Sequence, residues 1–483
     1  MKKKFCLVFI LVSALQVSAA TFYVNSADPA AKETNPGTKA LPWVSIQHGL
    51  DAAGPGDTVI VMPGNYERVT VKKSGKPGQL ITLKGSSIPN LSHVDRNKQF
   101  DPLKPSAFPG NPVLNAVTKG FDIAGAGFVR IENFEITGVP KRGGVFLEKA
   151  EAIEIAGNFL HDLNPPAGQS GGIISFSMEN KKILLKDNTL FRCAGTSINI
   201  MGLDWVVEGN EMSHGTNCNT KTGENVGGED AVRFFGTGHI IRHNYIHDFL
   251  DEEQYPKSGP HLDAFQTFST WRAPPYVLFA SNILVENNYC DNIGQMFMCE
   301  DKHESKLGEN MVQHITFKGN IFRRARACAI QIRSNSDNFT FINNVVAESY
   351  YGPMTFGESS HHAVVLNNIF YNNRREKEKG ERSGAVFSEP TSLPGSVWDY
   401  NLHNYDFKYP PKSAVFDLHA IFGADPKFVD PKNGDYRLQK DSPAIGAGDP
   451  SITSPGGKRP DIGAVQYGHP EDEWFLKYVE KKE

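Results

Sequence analysis

Two short runs 33 residues apart begin alike, DAVRFFG from Asp230 and DAFQTFS from Asp263. Laid over each other, they align Asp230 with Asp263 and Arg233 with Gln266. Two carboxylates at a short fixed distance can divide acid and base duties on one glycosidic bond. Two like charges that close also raise one pKa and make that group a proton donor. His261 lies just ahead in GPHLDAFQTF. The run MFMCED ends on Glu300 and Asp301 and is followed by Lys302 and His303, while AIQIRSN carries Gln331 and Arg333. A Lys or Arg serves as base, or as cation neutralising a substrate carboxylate, in proton abstraction beside a uronate carboxyl group. The oxygens of Glu229, Asp230, Asp263, Glu300 and Asp301 are the donors calcium takes, so Ca²⁺ is the one expected cofactor. Tyr255 and Trp271, in the flanking loops, offer rings on which sugars stack. Arg233, Gln266, His303 and Gln331 complete the expected substrate contacts. The structural alternative for either Asp is a turn former that starts a strand.

Such residues need a scaffold that repeats. Between residues 150 and 370 one pattern recurs: apolar, any, apolar, two residues, Asn, any, apolar. Ile153 and Ile155 lead to Asn158, Ile183 and Leu185 to Asn188, and Phe339 and Phe341 to Asn344. Successive intervals from Asn158 are 30, 22, 34, 44, 32, 24 and 24 residues, with Asn244 fitting by a slight slip and Asn133 likewise upstream. The smallest interval is the bare repeat and the excess is loop. Period-2 alternation means strand, and Asn, which tolerates left-handed backbone, means a corner between strands. A unit of 22 residues leaves no room for an amphipathic helix. Stacked at ~4.8 Å, the asparagines form a hydrogen-bonded ladder inside a solenoid. The expected fold class is all-β, a right-handed parallel β-helix with three short strands per coil. The longest intervals, between 210 and 320, put the functional loops and a groove at residues 224 to 333.

The chain ends carry a resemblance. NPGTKALPWVSIQHGLDAAGPGDTVIVMPGNY, followed by SGKPGQLITLKG, resembles the opening of secreted pectate-lyase-like β-helix proteins, polysaccharide lyase family nine among them. DPKFVDPKNGDYRLQKDSPAIGAG with RPDIGAVQYG resembles the closing segment of the same proteins. The resemblance implies an N-terminal helical cap with first coils over residues 21–85 and a closing segment over 420–468 of one domain spanning 21–468. MCEDKHESK followed one coil later by AIQIRS is similar to alginate and chondroitin lyases of family six. That similarity implies Lys302 or Lys306 as base with Arg333 as its partner. Asp230, Asp263, His303 and Arg333 also follow an order similar to that of polygalacturonases, which implies hydrolysis. A non-catalytic glycan binder is the third reading.

Three lysines, an apolar run and VSAA make residues 1–20 an export signal, and residues 469–483 read as a charged tail. The 50 basic and 54 acidic residues of the chain become 47 against 54 once that signal is removed, a net charge of −7. No basic excess points to nucleic acid, and no apolar run is long enough to span a bilayer. The expectation is an exported monomer whose partner is a polysaccharide. The remaining five cysteines match no zinc spacing and are expected to be small buried hydrophobes.

Overall fold

The computed structural model describes residues 19–91, 98–101, 103–104, 115–138, 142–218, 222–227, 230–254, 262–269, 278–301, 311–333, 335–357, 360–373, 387–388, 395–404, 417–453 and 457–479. Each complete coil contributes one strand to each of three sheets. One coil runs through Val232–Thr237 in the first sheet, Ile240–Arg242 in the second and Tyr245–His247 in the third. The next repeats the order with Asp263–Ser269, Ala280–Glu286 and Tyr289–Ile293. Pairing from coil to coil is parallel, as in Ile240↔Leu284↔Thr316↔Thr340↔Val364 of the second sheet. This is a parallel β-helix.

Alternate side chains point inward because a strand reverses facing at each residue. Val207, Ile241, Val285, Phe317, Phe341 and Val365 fill one internal column, and Phe317 stacks on Phe341 at 4.9 Å. Burying each such ring contributes about 2–3 kcal/mol. Cys193, Cys218, Cys290, Cys299 and Cys328 are free and buried, and burial pushes the Cys328 thiol up to about 11.

Nine asparagines, 158, 188, 210, 244, 288, 320, 344, 368 and 401, hydrogen-bond one to the next through their side-chain amides at 2.9–3.0 Å. Each acceptor oxygen also takes the backbone N–H of the asparagine before it, as Asn288 Oδ1 does from Asn244. Asn401 donates in turn to Asp417, which also bonds to His403 Nε2 at 2.7 Å.

The expectation that the asparagine itself adopts the left-handed conformation is corrected. The left-handed residue precedes it: Asp187, His243, Asn287 and Asn343 have φ of 51–54°, and Gly209 and Gly319 take the same place. Asn133 is such a corner residue, with φ 62°, and Phe134 follows it in the asparagine's place. Two further left-handed corners complete the coil. One is four residues after each asparagine, at Asp162, Arg192, His214, Asp248 and Asn292. The other opens the second-sheet strands, at Ala152, Lys182, Asp204, Asn282 and His314.

The expected helix occupies Ile46–Ala52, started by Ser45, and buries Ile46, Gly49 and Leu50 against the first coils. Residues 417–479 do more than close the far end. Ile421–Phe422 adds a last strand to the third sheet, and residues 428–453 and 457–479 lie along its outside, where Phe428, Tyr436, Ile462 and Phe475 pack on Tyr289, Ile321, Val345 and Ile369. The segment read as a charged tail thus contains a fully buried side chain, Phe475. No helix among the described residues is long and apolar enough to cross a membrane.

Candidate functional site

At the start of each first-sheet strand in the middle coils, two consecutive residues face the interior. Ala231–Val232, Ala264–Phe265, Met296–Phe297 and Ala329–Ile330 all belong to the core. The residue ahead of each pair is thereby turned to the outside of the sheet. Asp230, Asp263, Gln295 and Cys328 occupy these places on four successive coils. Asp263 pairs directly with Gln295, and the Ala231 N–H bonds to the Asp263 carbonyl at 2.8 Å. Asp230 is 2% exposed and Asp263 0%, so they form a covered polar row.

A second outward row runs beside it, three residues further along each strand. Its members in register are Asn199, Arg233, Gln266, Met298, Gln331 and Thr355. Each Asp is held by the second row of its own coil. The Arg233 guanidinium donates from Nη2 to Asp230 Oδ2, and Gln266 Nε2 donates to Asp263 Oδ2 at 2.8 Å. Arg233 offsets the repulsion that two neighbouring carboxylates would otherwise feel. It also sits 5.6 Å over the Phe268 ring. One coil on, the pattern changes direction: Gln295 Nε2 donates across to Gln331 Oε1 at 3.2 Å. The same oxygen accepts from Arg333 Nη2 at 3.0 Å.

The structure therefore gathers Asp230, Arg233, Asp263 and Gln266 into one cluster, and joins Gln331 to Arg333 through a separate one. Arg333 pairs with Glu300, which pairs with Phe268, whereas Asp263 stands five residues earlier on Phe268's strand. At ~3.3 Å per residue and ~4.8 Å per coil, Arg333 is about 16 Å along and about 10 Å up from Asp263. The two were expected to work on one bond. Their backbones are too far apart for that.

The four expected calcium ligands among the described residues do not assemble either. Asp230 and Asp263 begin their strands, while Glu300 and Asp301 end theirs, about 16 Å away. Asp301 is buried and spent on structure. It accepts from the Ser269 hydroxyl, from Met311 N at 2.7 Å and from Val312 N at 3.2 Å, clamping the ends of the loop between. Among the described residues no three His, Cys, Asp or Glu side chains are grouped to hold a metal ion. Glu229, Tyr255, His261, Trp271, Lys302, Lys306 and His303 lie outside the described residues, as does most of the export segment.

Gln295 is the site residue that the strand alignment overlooks. Its strand begins Gln-Met-Phe where the two before it begin Asp-Ala-Val and Asp-Ala-Phe. Aligning the strands on the paired inward residues, instead of on the acidic one, brings Gln295 into line.

Residues 207–374 match the family described as right handed beta helix region. No curated protein matches the chain. Among solved structures, the pectate lyase Pel9A is 14% identical over 94% of this chain and 98% of its own, with a TM-score of 0.45. A rhamnogalacturonan lyase is 12% identical over 95% and 98%, with a TM-score of 0.44. The GH136 lacto-N-biosidase from Eubacterium ramulus is 12% identical over 78% and 68%, also at 0.44.

Proposed function

We propose that this chain cleaves a uronate-containing polysaccharide laid across the coils on the outward face of the first sheet, by β-elimination. The observation that carries the reading is the second outward row, which runs from Arg233 through Gln266 and Met298 to Gln331 and its bonded Arg333. From the coil of Arg233 to that of Arg333 is three coils, ~14 Å, so the two cations meet different sugars of one chain. Guanidinium groups pair with carboxylates in a planar, two-pronged fashion, and the amides between them suit hydroxyl groups.

In this mechanism the Arg333 guanidinium, whose strand pairs with the one that ends just before Lys302, neutralises the uronate carboxylate and so acidifies the proton at C5. A base removes that proton, the C4=C5 double bond forms, and the C4–O bond breaks. The departing glycosidic oxygen takes the electron pair and then a proton. Asp230 orients Arg233, and Asp263 with Gln266 fixes the neighbouring rung. Lys302, which follows Asp301 in the chain, is the proposed base. No step is routed through a metal, because Asp230 and Asp263 stand apart from Glu300 and Asp301. An export signal at residues 1–20 would bring the protein to such a substrate outside the cytoplasm.

A specific observation favours hydrolysis as the second reading. Asp230 and Asp263 stand one coil apart, ~4.8 Å, close to the ~5–5.5 Å between the carboxyl groups of retaining glycosidases.

The test is a panel of uronate and neutral polysaccharides, followed for unsaturated uronate ends by ultraviolet absorbance and for new reducing ends. We expect absorbance to rise on a uronate polymer, and its rate of rise to fall about 10²-fold with Arg333→Ala. Reducing ends without absorbance, abolished by Asp263→Asn, would establish hydrolysis instead. Binding with neither product would leave a glycan-binding protein.

A further inference from the structure

The first sheet continues past the candidate site toward the N-terminus, and its outward face changes character there. The row of Arg233 continues backward in register through Asn199 and Ile174 to Phe146. On that stretch Phe176 is 60% exposed, an unusual cost for a large aromatic side chain. Its ring lies 6.3 Å from that of Phe146, and the Arg142 guanidinium sits 5.3 Å over the Phe146 ring. These residues, with Glu148, Gln169 and Ser170, line a cavity of about 300 Å³. Among the described residues Gln169 Oε1 is buried and has no hydrogen-bond donor.

We propose that this cavity is a distal subsite for the same glycan chain. A pyranose ring lays its C–H face on Phe176, a uronate carboxylate pairs with Arg142, and a sugar hydroxyl donates to Gln169 Oε1. An exposed ring rimmed by a cation and amide groups is the composition that binds sugars, with an apolar face and polar edges met together. The occupant is argued from continuity. The cavity shares a sheet face and a register row with Arg233 and lies three coils from it, ~14 Å, within reach of a short oligosaccharide. The inference rests on reading that face as a glycan groove.

The experiment is calorimetric titration with oligogalacturonates and oligomannuronates of graded length, in an Asp263→Asn/Lys302→Ala background that removes the catalytic group of either reading. In that parent, affinity rises once the chain is long enough to span both places. Phe176→Ala removes this gain, about tenfold, and Phe176→Trp retains it. If the gain with length persists in Phe176→Ala, the subsite is wrong while the groove stands. If the parent binds no oligouronate of any length, the groove reading fails and the subsite with it.

Discussion

His247 is buried with a carboxylate at each ring nitrogen, Asp248 at 2.8 Å and Glu211 at 3.5 Å. Burial is the largest single influence on it and opposes its charge. The hydrogen bonds and charges of Asp248 and Glu211 outweigh burial and hold its pKa above the ordinary imidazole value. A base whose pKa is raised on folding binds its proton more tightly in the folded state. The stabilisation is fully present below the unfolded pKa of ~6.5 and is lost as pH rises through the folded value. The stability deficit of His247→Gln, from denaturant midpoints, should therefore be largest below the unfolded pKa of ~6.5 and shrink as pH rises through the raised folded value. A deficit independent of pH would show that the imidazole is held neutral. At this scale the sequence is a good guide where neighbouring strands begin alike, as with Asp230, Arg233, Asp263 and Gln266. It fails at Gln295, whose partner Gln331 is 36 residues away on the next coil rather than three residues along its own strand.

Asn288 shows how a single side chain holds two coils together. Its Oδ1 accepts from Asn244 N at 3.0 Å and from Asn244 Nδ2 at 2.9 Å, and its Nδ2 donates to Asn320 Oδ1 at 3.0 Å. Asn288→Ala strands two buried donors and should cost about 3 kcal/mol, read as a lowered denaturant midpoint. Asn288→Asp keeps the acceptor but faces Asn320 Oδ1 with another oxygen, so it should be at least as damaging. A mild effect of both would mean that the strands carry the coil without the amides. Strands and asparagines were legible because alternation and a recurring residue type leave a trace in sequence. The corners were not. Phe128, Ala152, Lys182, Asp204 and His314 occupy one structural position with φ of 51–56°, and nothing chemical unites them. The coil forces the left-handed geometry on whatever residue falls there, against the usual preference for Gly and Asn.

Across the whole molecule, residues 428–453 and 457–479 bind the outer side of the third sheet, and Phe475 is fully buried in the last of them. It stacks on Tyr289 at 6.0 Å, while Tyr478 stacks on Tyr245 at 4.2 Å. Phe475→Ala should weaken this docking by about 3–5 kcal/mol. Hydrogen exchange should then rise across 470–478 while the coils keep their protection; unchanged exchange would mean the segment is held elsewhere. The docking was hidden in the sequence because Glu471, Asp472, Glu473 and Lys477 surround Phe475 and make the stretch look solvated. A hint existed in strands such as Ile321–Ala325, where Ile321, Phe322 and Arg323 are buried in succession, which mark a sheet covered from outside. The row of asparagine amides has a direction as well as a length. From Asn158 to Asn368 one N–H of each amide reaches the next asparagine toward the C-terminal end, while the other bonds a backbone carbonyl of the preceding coil. Nine aligned amide dipoles polarise one another and leave partial positive charge at the far end, as a helix does at its N-terminus. Asp417 receives that end, so the interior of the coil works as an electrical axis with a buried carboxylate as its counter-charge.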